Sequence, residues 1–272
     1  MGYLTTDKKK VTARTLLEMK AAGEKITQMT AYDYTTAGII DAAGIDSILV
    51  GDSASNVMAG NQDTTPITVD EIIYHARAVV RACRRCLVVC DMPFGSYQVS
   101  REDGIRNAIR IIKETGAGAV KMEGGTEIVD TVRGIIAAGI PVVGHLGLTP
   151  QSIHRLGGYG LRAKEEAEAQ KLMDDALALD AAGVSAITLE KVPAALAAKV
   201  TTLVKAATIG IGAGNGTDGQ VLVYADALGM TQGFKPKFLR HFANVHQCMT
   251  DGVQAYIRCV KEGTFPSDAE SY

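Results

Sequence analysis

The chain has 272 residues, of which 47% are hydrophobic, with five cysteines, no tryptophan and a formal net charge of −2. This length accommodates one large α/β barrel or two small domains. Because the composition offers no excess of basic residues, nucleic acid is not expected as a partner. No apolar run reaches the roughly 18 residues that span a bilayer. The N-terminus also lacks the apolar core of a secretory signal, so we expect a cytoplasmic location and no membrane partner.

Short apolar runs alternate with helix-length segments along the whole chain. Strands are predicted at 26–31, 47–52, 87–90, 119–123, 141–145, 186–190 and 208–211, while 221–223 fits either a strand or a helix. Helices are predicted at 12–22, 36–43, 69–83, 101–113, 126–138, 163–182, 193–206, 238–242 and 251–260. Thr68 and Glu71 have the spacing of a capping box at the start of one of these helices.

This alternation predicts a parallel sheet, because parallel strands need crossover connections and the intervening segments have the length of helices. No change in composition marks a domain boundary. We therefore expect residues 1–272 to form one α/β domain, a (β/α)8 TIM barrel with a short N-terminal helix and C-terminal helices. An open doubly wound sheet is the alternative.

Polar residues mark the ends of five consecutive predicted strands. They are Asp52 with Ser53, Asp91, Lys121 with Glu123, His145, and Glu190. Each one alone has a structural explanation, since acids cap turns and a histidine in the core can have its hydrogen bonds made by neighbouring groups. A barrel, however, gathers its strand ends at one mouth, and buried charges are costly unless they are paired or bind a metal. The group as a whole therefore predicts a catalytic site.

Three of these residues have the chemistry of a hard-metal site. Asp52, Asp91 and Glu123 offer oxygen donors that suit Mg²⁺ or Mn²⁺ better than zinc. Lys121 lies two residues before Glu123, so both side chains point to the same face of their strand. A Schiff-base lysine needs a lowered pKa, whereas a neighbouring carboxylate favours the ammonium form. We therefore prefer a charged Lys121 that binds an anionic substrate.

Three cysteines lie close together in the sequence. Cys83, Cys86 and Cys90 form a CxxC motif followed by a further cysteine. This pattern raises the possibility of a metal site, but Cys86 and Cys90 bracket the apolar run 87–89 and no fourth ligand lies nearby. Buried or helix-end thiols in a reducing compartment are the preferred interpretation.

The longer motifs resemble those of the ketopantoate hydroxymethyltransferase family. They are Thr30–Tyr34, Leu49–Ser53, Asp91–Phe94, Val120–Gly125, Gly144–Ser152, Gly210–Gly214 and Thr217–Gln220, in order from about residue 12 to 265. The resemblance implies a (β/α)8 barrel of the phosphoenolpyruvate/pyruvate type. It implies transfer of a hydroxymethyl group from 5,10-methylenetetrahydrofolate to the keto acid 3-methyl-2-oxobutanoate, giving 2-dehydropantoate for pantothenate synthesis.

The resemblance also assigns roles to individual residues. By motif, Asp52, Asp91 and Glu123 match the family's magnesium site, and Glu190 matches its proposed catalytic base. Four residues match the positions at which the family contacts its keto acid: Asp52, Asp91, Ser53 and Lys121. We give His145 a supporting role. A homodecamer is the assembly that the family implies. The chain departs from the family pattern at 54–56 and at 61–66.

Two other functions fit parts of the pattern. The first is another Mg²⁺-dependent lyase or mutase of the phosphoenolpyruvate/pyruvate superfamily, which would use strand-end acids without a folate donor. The second is a binding protein without catalytic activity on the same scaffold. A binding protein has no need of Glu190, so the complete set of acids favours an enzyme.

Overall fold

The chain forms a closed parallel barrel of eight strands in the order β1 to β8. This computed structural model describes residues 10–233 and 235–272. The strands are β1 (Ile26–Thr30), β2 (Ser47–Val50), β3 (Leu87–Asp91), β4 (Ala119–Glu123), β5 (Val142–Gly147), β6 (Ala186–Glu190), β7 (Ala207–Ile211) and β8 (Gly219–Leu222). All neighbouring strands pair in parallel, and β8 pairs with β1 to close the barrel. The prediction of a (β/α)8 barrel is confirmed.

Helices connect most of the strands. They are α1 (Ala13–Ala22), α2 (Tyr34–Ala42), α3 (Ala54–Val57), α4 (Val69–Ala82), α5 (Arg101–Thr115), α6 (Val129–Ala137), α7 (Ile153–Leu156), α8 (Glu166–Ala182), α9 (Ala194–Leu203), α10 (Tyr224–Ala227) and α11 (Val245–Lys261). Single 3₁₀ turns lie at Thr126–Ile128, Pro150–Ser152 and Asp268–Glu270. The predicted capping box is present at the start of α4, where Thr68 and Glu71 bond reciprocally.

The apolar core inside the barrel lies toward the amino-terminal ends of the strands. Leu16 of α1 joins Ile26, Leu87 and other residues near the first positions of their strands in one buried cluster. Helix α1 therefore closes this end of the barrel with apolar side chains. The opposite, carboxyl-terminal end is left for polar side chains, which is the end where barrel enzymes place their chemistry.

The structure corrects several local predictions. Residues 221–222 belong to strand β8, whereas no helix forms over 238–242, where only a turn from Pro236 to Leu239 is present. Helices α3 and α7 were not predicted, because four residues are too few to show a helical period. Strand β2 ends two residues before Asp52.

The chain divides into two compact units, the first ending at Leu222 and the second spanning Val223–Tyr272. The barrel lies wholly within the first unit. The second contains α10 and α11, and no residue of α11 is buried. No helix in the described part of the chain combines the length and apolar character needed to cross a membrane.

Candidate active site at the barrel mouth

The five polar strand ends meet at the carboxyl-terminal mouth of the barrel. The register places Asp91 beside Lys121 and Glu123 beside His145 on neighbouring strands. The side chains of Asp91, Lys121, Glu123 and His145 are each at most 4% exposed, while Glu190 is 17% exposed. The charged cluster is thus buried, and Glu190 is its most accessible member.

Gly51 allows two of these residues to approach each other. A Cβ atom at Gly51 would lie 2.7 Å from Ser53 Oγ and 3.4 Å from Asp91 Oδ2. Without that atom, the Asp52 amide donates a 2.9 Å hydrogen bond to Asp91 Oδ2. Glycine is therefore required here for the end of β2 to pack against the end of β3.

Lys121 is held as an ammonium ion. Its Nζ lies 2.7 Å from Asp91 Oδ1 and 3.2 Å from His145 Nδ1. Burial by itself would lower the pKa of Lys121, but the charges of Asp91, Glu123 and Asp52 outweigh that effect and leave the pKa above its usual value. This environment is the opposite of what a Schiff-base lysine needs.

For Asp52, in contrast to Lys121, the surroundings disfavour the charged form of the side chain. Burial and the nearby charges of Asp91 and Glu123 raise the pKa of Asp52 to about 8. Only Lys121 and a hydrogen bond from Gln151 counteract that rise. The three carboxyl groups therefore lie close enough for Asp91 and Glu123 to disfavour the ionised form of Asp52.

His145 connects two acids of the cluster. Its Nδ1 lies 3.1 Å from Glu123 Oε1 and its Nε2 lies 3.3 Å from Glu190 Oε2. Burial and the Lys121 charge lower the pKa of His145. Glu123 and Glu190 raise it by a larger amount, so the net pKa is about 9, above its usual value. The imidazole is therefore in place to orient Glu190.

Ser53 and Tyr32 form a second polar pair beside the acids. The Tyr32 hydroxyl and Ser53 Oγ lie 2.7 Å apart. Tyr32 is fully buried, and burial raises the pKa of its hydroxyl above the usual value. Ser53 thus has a fixed hydroxyl partner next to Asp52.

The structure adds Gln151 and Tyr97, which were not predicted as site residues. Gln151 Nε2 donates to Asp52 Oδ2 and to the Met92 carbonyl, both at 3.0 Å, and its backbone N–H donates to Glu123 Oε2 at 2.9 Å. The Tyr97 hydroxyl donates to Gln151 Oε1 at 2.7 Å and accepts from the Glu123 amide at 3.0 Å. These two residues hold the ends of β2, β3 and β4 together. Gln151 lies in a quoted motif, but nothing in its residue type or spacing indicated this contact.

The donor chemistry of the mouth fits a hard cation. Asp52, Asp91 and Glu123 supply only oxygen, and Glu123 Oε1 is a buried atom that makes no hydrogen bond and lies 3.1 Å from His145 Nδ1. Among the described residues, these three do not bring one oxygen each within 4.8 Å of the others. A cation bound here would contact one or two of these carboxylates and complete its shell with water, which is how Mg²⁺ is usually held.

The residues that depart from the family pattern contact one another near this mouth. The Ser55 hydroxyl donates to the Asp63 carbonyl at 2.8 Å, and the Asn61 amide donates to Ser55 Oγ at 3.1 Å. Asn56 in turn donates to the Asn61 carbonyl at 2.9 Å. The two departures are thus linked by side-chain hydrogen bonds, and they leave the strand-end acids unchanged.

Comparison with known proteins identifies the family. The sequence model of ketopantoate hydroxymethyltransferase matches residues 10–268 of this chain. The chain belongs to the ketopantoate hydroxymethyltransferase family. A 3-methyl-2-oxobutanoate hydroxymethyltransferase of Phocaeicola vulgatus is 56% identical, over 100% of this chain and 99% of that protein. Another, of Christiangramia forsetii, is 57% identical over 100% of both.

Solved structures share the barrel fold of this family member. The chain is similar to a 2,3-dimethylmalate lyase described as a PEP mutase/isocitrate lyase superfamily member, with a TM-score of 0.60 and 15% identity. That match covers 96% of this chain and 91% of the lyase. At this identity the similarity shows the fold alone, which is the predicted (β/α)8 barrel.

Proposed function

We propose that this hydroxymethyltransferase transfers the one-carbon unit of 5,10-methylenetetrahydrofolate to 3-methyl-2-oxobutanoate, giving 2-dehydropantoate for pantothenate synthesis. The family match supports the reaction, and the strongest structural support is the buried set of three acids and one lysine at the barrel mouth. A small 2-keto acid carries the carboxylate and keto oxygens that such a set can bind. We assign the substrate to this mouth for that reason.

Asp52, Asp91 and Glu123 are the residues that would hold Mg²⁺. Burial raises the pKa of Asp52 most, and repulsion from Asp91 and Glu123 raises it further. A divalent cation bound among the three carboxylates would relieve that repulsion. When bound, the ion supplies positive charge where the keto oxygen becomes negative. Gln151 donates hydrogen bonds to two of the three carboxyl groups, those of Asp52 and Glu123, and Tyr97 holds Gln151 in place.

Lys121 and Ser53 are proposed to bind the substrate carboxylate. The ammonium form of Lys121 provides a fixed positive charge in a buried site, where an ion pair is stronger than in water. Ser53 adds a hydroxyl that Tyr32 holds in position. Asp52 and Asp91 lie beside both groups, as the family's keto-acid contacts require.

Glu190 is the proposed catalytic base. Its carboxylate removes the proton from C3 of the keto acid, and the electron pair of that C–H bond is delocalised onto the keto oxygen. The methylene carbon is bonded to two nitrogens of the folate, and C3 forms a bond to it as the first of these C–N bonds breaks. Water then forms the C–OH bond as the second C–N bond breaks. The proton taken from C3 and one proton of the water end on the two nitrogens, so tetrahydrofolate is the leaving group. His145 orients Glu190 through the 3.3 Å contact.

A folate-dependence assay tests the proposed reaction. With Mg²⁺, 3-methyl-2-oxobutanoate and 5,10-methylenetetrahydrofolate, we expect formation of 2-dehydropantoate, measured by mass spectrometry. Without the folate, no product is expected. A lyase or mutase of the same superfamily would convert its substrate without folate, and a binding protein would convert nothing. Either outcome contradicts the proposal.

The apparent affinity for Mg²⁺ is expected to rise between pH 6.5 and pH 9. Asp52, with its pKa raised to about 8, must lose a proton to bind the cation, and His145, with a pKa near 9, loses the proton that repels it. Calorimetric titration in two buffers of different protonation enthalpy counts the protons released. A flat affinity across this range would show that no raised carboxyl group participates.

The homodecamer and the cytoplasmic location remain predictions. The resemblance implies the first, and the composition and cysteine content imply the second. Light scattering on purified protein measures the assembly directly, and a mass near ten times 28.7 kDa is expected.

A further inference from the structure

A second cluster of metal-binding side chains lies far along the strands from the barrel mouth. Asp41 is in the last turn of α2, Cys83 caps the C-terminus of α4, and Cys86 immediately precedes β3. Because β3 begins next to Cys86 and ends at Asp91, the strand itself separates this cluster from the acids of the mouth. Nothing in the proposed reaction uses these three residues.

The three side chains converge on one point. The Sγ atoms of Cys83 and Cys86 and one carboxylate oxygen of Asp41 all lie within 4.8 Å of one another, which no other trio of such residues achieves in the described ranges. The neighbouring Cys83, burial and Asp41 raise the pKa of the Cys86 thiol, so a cation bound here must displace its proton. With Zn–S bonds of about 2.3 Å, ligand atoms of a tetrahedral site lie roughly 3.8 Å apart. Small side-chain movements are enough to reach that geometry.

The backbone fixes the position of Asp41. Its Oδ2 accepts the Arg84 amide at 2.8 Å, and its Oδ1 accepts the Cys86 amide at 2.8 Å. These bonds also have a structural purpose, since they cap the turn between α4 and β3. The Arg85 amide is shared by both oxygens at longer distances of 3.3 and 3.4 Å. An ionised carboxylate has about four acceptor positions, so a metal bound at Asp41 would replace this long, shared contact. Ligands at metal sites are commonly oriented by such hydrogen bonds.

A cavity gives access to the two thiols. It has a volume of about 430 Å³ and is lined by Cys83 and Cys86 together with mainly apolar residues that include Val11, Val80 and Leu87. Three protein ligands beside a cavity leave a fourth tetrahedral position for water or for an external ligand. The sequence showed only the two thiols of the CxxC motif, because the third ligand comes from another helix, 42 positions before Cys83.

We propose that Asp41, Cys83 and Cys86 form a binding site for a thiophilic divalent cation of the Zn²⁺ class. Two sulfur ligands favour such a cation over Mg²⁺, whereas the all-oxygen set at the barrel mouth has the opposite preference. The two sites therefore differ in selectivity by ligand chemistry. A bound ion would join α2 to the turn between α4 and β3 and stabilise that part of the barrel.

The test is a titration of metal-stripped, reduced full-length protein with Co²⁺ and then Zn²⁺, in saturating Mg²⁺. We expect one equivalent of Co²⁺ to produce a thiolate-to-metal absorption band in the near ultraviolet, and Zn²⁺ to abolish it. Zn²⁺ should also raise the melting temperature by mass action. Absence of the band would overturn the proposal. So would a band whose Co²⁺ stoichiometry changes with the concentration of Mg²⁺, because the two ions would then compete for one site.

Variants assign the signal to this cluster. Cys83→Ser is expected to weaken binding at least on the order of 100-fold, the upper end of the loss that outer-shell changes produce at metal sites. The matched control is Cys248→Ser, which removes an exposed thiol of α11 and should leave the band unchanged. Protection of Cys83 from alkylation by Zn²⁺ in the unmodified protein gives a readout that needs no variant. Retention of the band in Cys83→Ser, or unprotected alkylation, would refute the site.

Discussion

Glu190→Gln is expected to slow exchange of the substrate C3 proton with D₂O by about 10²- to 10⁴-fold, the usual contribution of a positioned base. Glutamine has nearly the same shape and retains an oxygen that can accept from His145 Nε2, 3.3 Å away. It has no carboxylate, however, and so cannot accept the proton. Binding of Mg²⁺ and of the keto acid should persist, because Glu190 is not among the proposed ligands.

The exchange reaction isolates this single step. Protein, Mg²⁺ and 3-methyl-2-oxobutanoate are incubated in D₂O without folate, and loss of the C3 proton signal is followed by NMR. Glu127→Gln is the matched control, since it makes the same chemical change on a side chain that is 57% exposed and outside the mouth. Exchange at the unmodified rate in Glu190→Gln would place the base on another residue, with His145 the first to test.

The barrel was predictable because its determinants are local. Most of the strands contain a short apolar run, and most of the crossovers have the length of a helix, so the alternation is visible without tertiary information. Strand β8 is the exception, because it follows β7 without an intervening helix and its exposed Gln220 interrupts the apolar run. The polar strand ends were predictable for a related reason. A charged residue that follows an apolar strand is costly to bury unless it has a function or a partner, as Asp91 and Glu123 illustrate.

The contacts between distant segments were not predictable. Gln151 lies 99 positions after Asp52, and it is a neutral residue in a single 3₁₀ turn, so neither charge nor periodicity indicated that it donates to this carboxylate. Asp41 likewise reads as an ordinary polar position of α2 until the fold places it beside Cys83 and Cys86. Short helices such as α3 and α7 were missed because their length is below one apolar repeat.

Asp52→Asn is expected to weaken Mg²⁺ binding at least about 100-fold, more than outer-shell changes do at metal sites, and to abolish metal-dependent turnover. Asparagine keeps an oxygen that can accept from Gln151 Nε2, so the loss follows from the missing charge rather than from a changed shape. Titration calorimetry with Mg²⁺ measures the affinity. Asp130→Asn, on a side chain that is 85% exposed, is the matched control and should bind normally.

The melting temperature of the same variant separates a metal ligand from a structural residue. In the metal-free protein, burial and the charges of Asp91 and Glu123 disfavour the ionised form of Asp52, so a neutral amide at this position should not lower the melting temperature. Added Mg²⁺ should stabilise the unmodified protein and leave the variant unaffected. A variant that melts much lower would show that Asp52 mainly anchors Gln151. Undiminished Mg²⁺ binding by Asp52→Asn would show that Asp52 is not a metal ligand. The carboxylate directly after Gly51 would then have no role in the proposed site.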